Sequence, residues 1–296
     1  MRIDRLIRAI RETGNPTALG LDTKFEYIPE SFALPYAKSG DRAGAVFAFN
    51  AEILASLRGI VPCVKIQAAY YEMMGVQGMN CLKQTTDEAK RLGYIVIIDA
   101  KRGDIGSTAS AYSSAYLRDK SPFNADFLTV NPYFGTDGVA PFLEDCKENG
   151  GGIFALVKTS NPSGVEFQDI KTDDGRTLYE RVGEKVSEWG KDMIGEEGYS
   201  SVGAVVGATY PEQGAALREM MPHTFFLLPG YGAQGATSER LALCFDAKGE
   251  GAIVAASRSM ICAYKKTGGE DFAGSARDEA LRMKRELAEA LGTSRR

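Results

Sequence analysis

Eight short apolar runs, each separated from the next by a longer stretch of helical period, constrain this chain more than any other feature. They lie at 17–21, 61–66, 94–99, 126–130, 152–158, 202–207, 224–228 and 252–256. They are rich in Val, Ile, Leu and Phe, and several are nearly continuous rather than alternating. That pattern belongs to strands covered on both faces, as in a parallel sheet. Between them, 44–58, 105–117 and 178–191 carry helical periodicity, and 276–291 reads as an amphipathic closing helix. Strand–helix alternation repeated in this way predicts an α/β fold, a (β/α)8 TIM barrel, with residues 1–296 forming a single domain. The competing architecture is a doubly wound open sheet. It would carry a glycine-rich fingerprint after the first strand, and Leu19-Gly-Leu-Asp-Thr does not match one. Two segments that follow strands, 23–41 and 161–175, combine Pro, Gly and charge and are expected to be elaborated βα loops.

Several function classes drop out. A net charge of -4 gives no electrostatic footprint for nucleic acid or an anionic membrane. No run approaches the roughly 18 apolar residues of a membrane span. The N-terminal segment lacks the apolar core of a signal peptide, and its apolar positions fall at helical spacing. The cysteines Cys63, Cys81, Cys146, Cys244 and Cys262 form no CxxC pair, and several lie in apolar runs. They read as reduced thiols, which points to the cytoplasm. There is one histidine, His223, so a Ser-His-Asp triad or a multi-histidine zinc site would have to use it. Its setting, Met221-Pro-His-Thr224, reads as a turn before a strand. No metal site is expected.

In a barrel, catalytic side chains sit at the C-terminal ends of the strands. Here those ends collect polar groups: Asp22 after the first run, Lys65 and Gln67 at the second, Asp99, Lys101 and Asp104 at the third, Thr129 and Asn131 at the fourth, and Lys158 and Ser160 at the fifth. Asp99 and Lys101 are two apart, so on a regular strand they share one face. A lysine between carboxylates is held protonated. It suits proton donation to a forming carbanion and suits Schiff-base chemistry poorly, since that needs a neutral amine. The bland alternative is a structural ion-pair network at the barrel rim. A second constellation joins Pro229 and the loop Gly230-Tyr-Gly-Ala-Gln-Gly235, which includes Gly232 and Gln234, to Ser257-Arg258. Barrels commonly hold phosphate with the loops after strands seven and eight, and Arg258 can grip one bidentately. The glycines of that loop make it a candidate lid. Thr129, Asn131 and Ser160 offer hydrogen bonds for a ring edge or ribose.

These pieces resemble the orotidine 5'-phosphate decarboxylase family. The segment Ile98-Asp-Ala-Lys-Arg-Gly-Asp-Ile-Gly-Ser-Thr-Ala109 is similar to its Asp-x-Lys-x-x-Asp-Ile-x-x-Thr signature. Gly20-Leu-Asp22, Val64-Lys65, Leu228-Pro-Gly230 and Ala256-Ser-Arg258 follow in the family's order. Lys158-Thr-Ser-Asn-Pro-Ser-Gly164 and the long loops resemble the longer bacterial branch, often called type 2. The resemblance implies decarboxylation of orotidine 5'-phosphate to UMP without a cofactor. Lys101 would protonate C6 of the pyrimidine, and Asp99 would lie near the departing carboxylate. Lys65 and Asp104 would complete the charged array. Asp22 would bind ribose hydroxyls, Ser160 the pyrimidine edge, and Arg258 the 5'-phosphate with help from Gly232 and Gln234. It also implies a homodimer, with Asp104 and Thr108 reaching the neighbouring subunit's site. Two other readings compete: a sister barrel enzyme that uses magnesium on sugar phosphates, and a non-catalytic binder of a phosphate ligand.

Overall fold

In a computed structural model, which describes residues 1–231 and 237–292, eight parallel strands close into a barrel in the order β1 to β8. They are β1 Thr17–Leu21, β2 Cys63–Gln67, β3 Ile95–Arg102, β4 Phe127–Val130, β5 Gly152–Lys158, β6 Ser200–Val206, β7 Thr224–Pro229 and β8 Ala252–Ala256. Helices alternate with them, among them Arg42–Leu57, Gly75–Arg91, Gly106–Tyr116, Leu178–Gly190 and Phe272–Ala290. The segment 23–41 is more ordered than a loop. It holds a 3-10 turn, Phe25–Tyr27, and the helix Glu30–Ser39, which ends on Gly40 in the left-handed conformation. Likewise 161–175 contains the turn Pro162–Gly164 and the short helix Val165–Gln168.

Strand side chains alternate between two environments, and this parity builds the site. Outward-facing residues such as Leu19, Val64, Ile66, Val96, Ile98 and Leu128 form the buried shell under the helices. Inward-facing residues fill the barrel: Cys63 on β2, Ile95 and Ile97 on β3, Phe127 on β4, Phe154 on β5 and Phe225 on β7 belong to one separate cluster. The N-terminal helix Arg2–Thr13 closes the lower end of that cluster with Ile3, Leu6 and Ile7. At about 25 cal/mol per Å² of apolar surface withdrawn from water, such a filled interior is a major part of the folding drive. It is also dry, so any charge above it rests on hydrocarbon.

Two strand irregularities matter. Between β3 and β4 the register runs Ile98↔Leu128 and then Arg102↔Val130, so β3 holds two more residues than β4 over that interval. The bulge spans Asp99–Lys101 and carries β3 to Arg102, three residues past the apolar run. Between β5 and β6 the register shifts after Leu156.

The five cysteines are free; Cys63, Cys81, Cys146 and Cys244 are buried and Cys262 is half-buried. His223 lies just ahead of β7, where its Nδ1 donates to the Gly198 carbonyl at 3.0 Å. Among the described residues no helix is long and apolar enough to cross a membrane.

Candidate active site

Two residues further along the inward-facing rows, the side chains turn from apolar to polar. Ile97 gives way to Asp99, Phe127 to Thr129 and Ala255 to Ser257, while β2 already carries Lys65 and Gln67. Above that step lies a cavity of about 480 Å³. Its floor is Leu156, Val205, Leu227 and Ala255; its polar wall includes Asp22, Lys65, Asp99, Lys101, Ser160 and Arg258. A chamber of this size, apolar below and with a few convergent charges above, has the form of a small-molecule site.

Asp99 is the hub. Its Oδ1 accepts the Lys101 ammonium at 2.6 Å and the Thr129 hydroxyl at 2.9 Å. Its Oδ2 accepts Lys65 Nζ at 3.0 Å and Gln67 Nε2 at 3.1 Å. The four donors come from β2, β3 and β4. Burial on its own would raise the Asp99 pKa; the charges of Lys65 and Lys101 overcome it and hold the carboxyl well below the usual range. Burial would likewise lower the Lys65 pKa, and Asp22 and Asp99 raise it above the ordinary lysine value instead. Lys65 also reaches Asp22 Oδ1 at 3.3 Å. The array is thus an ionised chain, Asp22–Lys65–Asp99–Lys101, in which only Lys101 is substantially exposed to the cavity.

Lys101 adopts φ +48, a left-handed conformation rare for a residue with a Cβ. Such a residue costs on the order of 1–3 kcal/mol and persists only where its surroundings impose it. The bulge is that surrounding. On a flat strand the lysine would run parallel to Asp99. Here the chain turns back, and Nζ bonds a carboxylate only two residues away.

Elsewhere on the rim, close backbone approaches set side chains. A Cβ on Gly207 would lie 2.7 Å from the Ser160 backbone nitrogen, so glycine there lets the β5 end sit against β6. Ser160 also lends its carbonyl to the Thr209 hydroxyl at 3.2 Å. A Cβ on Gly20 would meet Ser257 Cβ at 2.7 Å. Ser257 Oγ accepts the Asp22 backbone N–H at 3.3 Å, which ties β1 to the strand that presents Arg258. Arg258 is exposed at the cavity edge and, among the described residues, has no carboxylate partner.

Of the residues expected from sequence, Asp22, Lys65, Asp99, Lys101, Ser160, Pro229, Gly230 and Arg258 line this chamber. Gly232 and Gln234, and with them the expected lid, lie outside the described residues. Five others do not line the chamber, two of which, Asp104 and Thr108, were expected to serve a neighbouring subunit. Thr129 is buried behind Asp99, and its hydroxyl is engaged within the protein, accepting the Lys101 backbone N–H at 2.8 Å. Asn131 is used as a cap: its Oδ1 accepts the Tyr133 N–H at 3.1 Å, and it borders an adjoining apolar cavity. Asp104 and Thr108 do not line the chamber; Asp104 Oδ1 accepts the N–H of Ile105 at 2.8 Å, and Thr108 is exposed on the helix Gly106–Tyr116. Lys158 leaves the inward row at the β5 shift. It is fully buried, 2.6 Å from Asp169 Oδ1 and over the Tyr210 ring, where it ties the segment after β5 to the barrel. The wall also contains Asn161, and Tyr27 and Tyr70, which strand-end reasoning did not single out, because these two tyrosines come from the segments between strands.

The family described as orotidine 5'-phosphate decarboxylase / HUMPS matches residues 48–267. A Rhodopirellula baltica protein named orotidine 5'-phosphate decarboxylase is 45% identical over 92% of this chain and 91% of its own length. A Clostridium tetani protein of the same name is 41% identical over 99% of this chain and 100% of its own. The solved OMP decarboxylase of Leishmania donovani superposes with a TM-score of 0.73 at 26% identity, covering 95% of this chain and 98% of that one.

Proposed function

This chain belongs to the orotidine 5'-phosphate decarboxylase / HUMPS family, and on that footing we propose that its barrel mouth converts orotidine 5'-phosphate to UMP, a step of pyrimidine nucleotide synthesis. The observation that carries the reading is the ionised Asp22–Lys65–Asp99–Lys101 chain set on a hydrocarbon floor. The C6–carboxylate bond breaks, carbon dioxide leaves, and the electron pair stays on C6. The Lys101 ammonium stabilises that charge as it develops and then gives its proton to C6. The neutral amine regains a proton from solvent. Asp99 keeps the ammonium aimed through its bond at 2.6 Å. Both Asp99 oxygens already take donors, so a substrate carboxylate placed beside Asp99 would meet a like charge that offers it no hydrogen bond, a destabilisation that its release relieves. Arg258 grips the 5'-phosphate, Asp22 a ribose hydroxyl and Ser160 the pyrimidine edge.

The magnesium-dependent alternative fits the donor set poorly. Asp22 and Asp99 are both committed to Lys65, and among the described residues no group of three or more His, Cys, Asp or Glu could hold a metal ion. Purified protein is expected to bleach the orotate-ring absorbance of orotidine 5'-phosphate at an unchanged rate with excess chelator. Dependence on a divalent cation, or turnover of a sugar phosphate in its place, would overturn the assignment.

Asp104 and Thr108 act in the site of a second copy. Next to them, Ile105, Phe134 and Tyr133 are exposed, the last at 86%, an apolar patch of the kind that a partner covers. A C2 dimer would carry each Asp104 toward the other chamber. Mixing Lys101→Ala with Asp104→Ala, each inactive alone, should restore up to about a quarter of wild-type activity by random pairing of two-fold dimers. No recovery after verified subunit exchange would refute the shared site. A cytoplasmic location fits the free thiols.

A further inference from the structure

The bulge in β3 leaves a local deficit that one side chain repairs. Where β3 holds Asp99–Lys101 against β4, the regular ladder is interrupted, and the Lys101 N–H is turned away from its usual partners by φ +48. Thr129 Oγ1 accepts that N–H at 2.8 Å and lies 2.9 Å from Asp99 Oδ1. A carboxylate can only accept, so the single hydroxyl proton must point at Asp99, which leaves the lone pairs for the Lys101 peptide. Lys101 Nζ bonds the same Oδ1 at 2.6 Å. The result is a closed ring: lysine peptide to threonine hydroxyl, hydroxyl to carboxylate, carboxylate back to lysine ammonium. Thr129 is 1% exposed and does not border the chamber.

We propose that Thr129 is a positioning residue for the decarboxylation, holding Lys101 in its left-handed conformation and so aiming the ammonium at C6. The proposal rests on the reading of Lys101 as proton donor. It replaces the expectation that Thr129 contacts the nucleotide. Valine at this position keeps the shape but offers the Lys101 N–H no acceptor and Asp99 one donor fewer; serine keeps both bonds.

The test compares Thr129→Val, Thr129→Ser and Lys101→Ala in steady-state kinetics with orotidine 5'-phosphate. Since a misplacement of about 1 Å can cost on the order of 10²-fold, Thr129→Val should lose roughly that in kcat, with KM within about threefold. Thr129→Ser should recover most of the lost rate. Wild-type kcat in Thr129→Val beside an inactive Lys101→Ala would overturn the proposal. So would a raised KM at unchanged kcat, which marks a nucleotide contact, or serine as impaired as valine. Turnover retained by Lys101→Ala would instead remove the proton-donor reading beneath it. Should the valine variant not fold, Thr129→Ala takes its place: rescue by serine relative to alanine supports the ring, and equal rates refute it.

Discussion

Lys101→Ala should lower kcat on the order of 10⁴-fold or more, since the residue supplies both a proton, worth about 10²–10⁴, and a fixed charge at the developing carbanion, worth about 10²–10³. UMP should still bind within a few-fold of wild type, because Asp22, Ser160 and Arg258 stand on other strand ends and make no bond to Lys101. Stability should change little: the Lys101 side chain is 44% exposed, and Asp99 keeps Lys65, Gln67 and Thr129. Single-turnover decarboxylation and a UMP titration separate the two effects. Turnover within tenfold of wild type would move the proton donor elsewhere.

The second large effect belongs to Asp99→Ala. It leaves Lys65, 7% exposed, with one carboxylate at 3.3 Å in place of two. Removing one partner from a buried ion pair typically costs about 3–5 kcal/mol of unfolding free energy. Activity should fall with it, because the Lys101 ammonium loses its anchor. Denaturant unfolding reads the first effect and kcat the second. The dependence on pH has a defined sign. The folded Asp99 pKa is depressed, so its contribution to stability is complete above the unfolded value of about 3.9 and fades as pH falls below it. The folded Lys65 pKa is raised, so its contribution is complete below the unfolded value of about 10.4 and is lost as pH climbs beyond it. Across the neutral range both persist, and the stability lost in Asp99→Ala should be flat there and shrink toward acid. A loss that peaks near neutrality and varies between pH 6 and 8 would place the controlling group elsewhere.

The barrel was legible because burial on both faces writes itself as eight dense apolar runs, and the step from Ile97 to Asp99 or from Ala255 to Ser257 marks where each inward row meets the chamber. The irregularities were not. Nothing in Asp-Ala-Lys-Arg signals a bulge, since the left-handed residue is a lysine and its conformation is imposed by Thr129 and β4, which lie about 30 positions on. Lys158 looks from sequence like another strand-end cation; the register shift after Leu156 sends it instead under the segment that carries Asp169. Asn131 has the chemistry of a ribose contact and is consumed in capping the turn Pro132–Phe134. Strand-end polarity thus finds the charged array and overcounts groups such as Lys158 and Asn131, whose bonds are satisfied within the protein.

The charge layer resting on a dry interior also bears on how the barrel assembles. A slip of β2 or β3 by one residue would exchange its inward and outward rows. Lys65 and Asp99 would then be forced among the helices of the outer shell without partners, at the steep desolvation cost of isolated buried ions. Their hydrocarbon neighbours Ile66 and Ile98 would take the mouth. The same side chains proposed for the chemistry therefore penalise misaligned closures of the sheet, so the native alignment is favoured before any nucleotide is present.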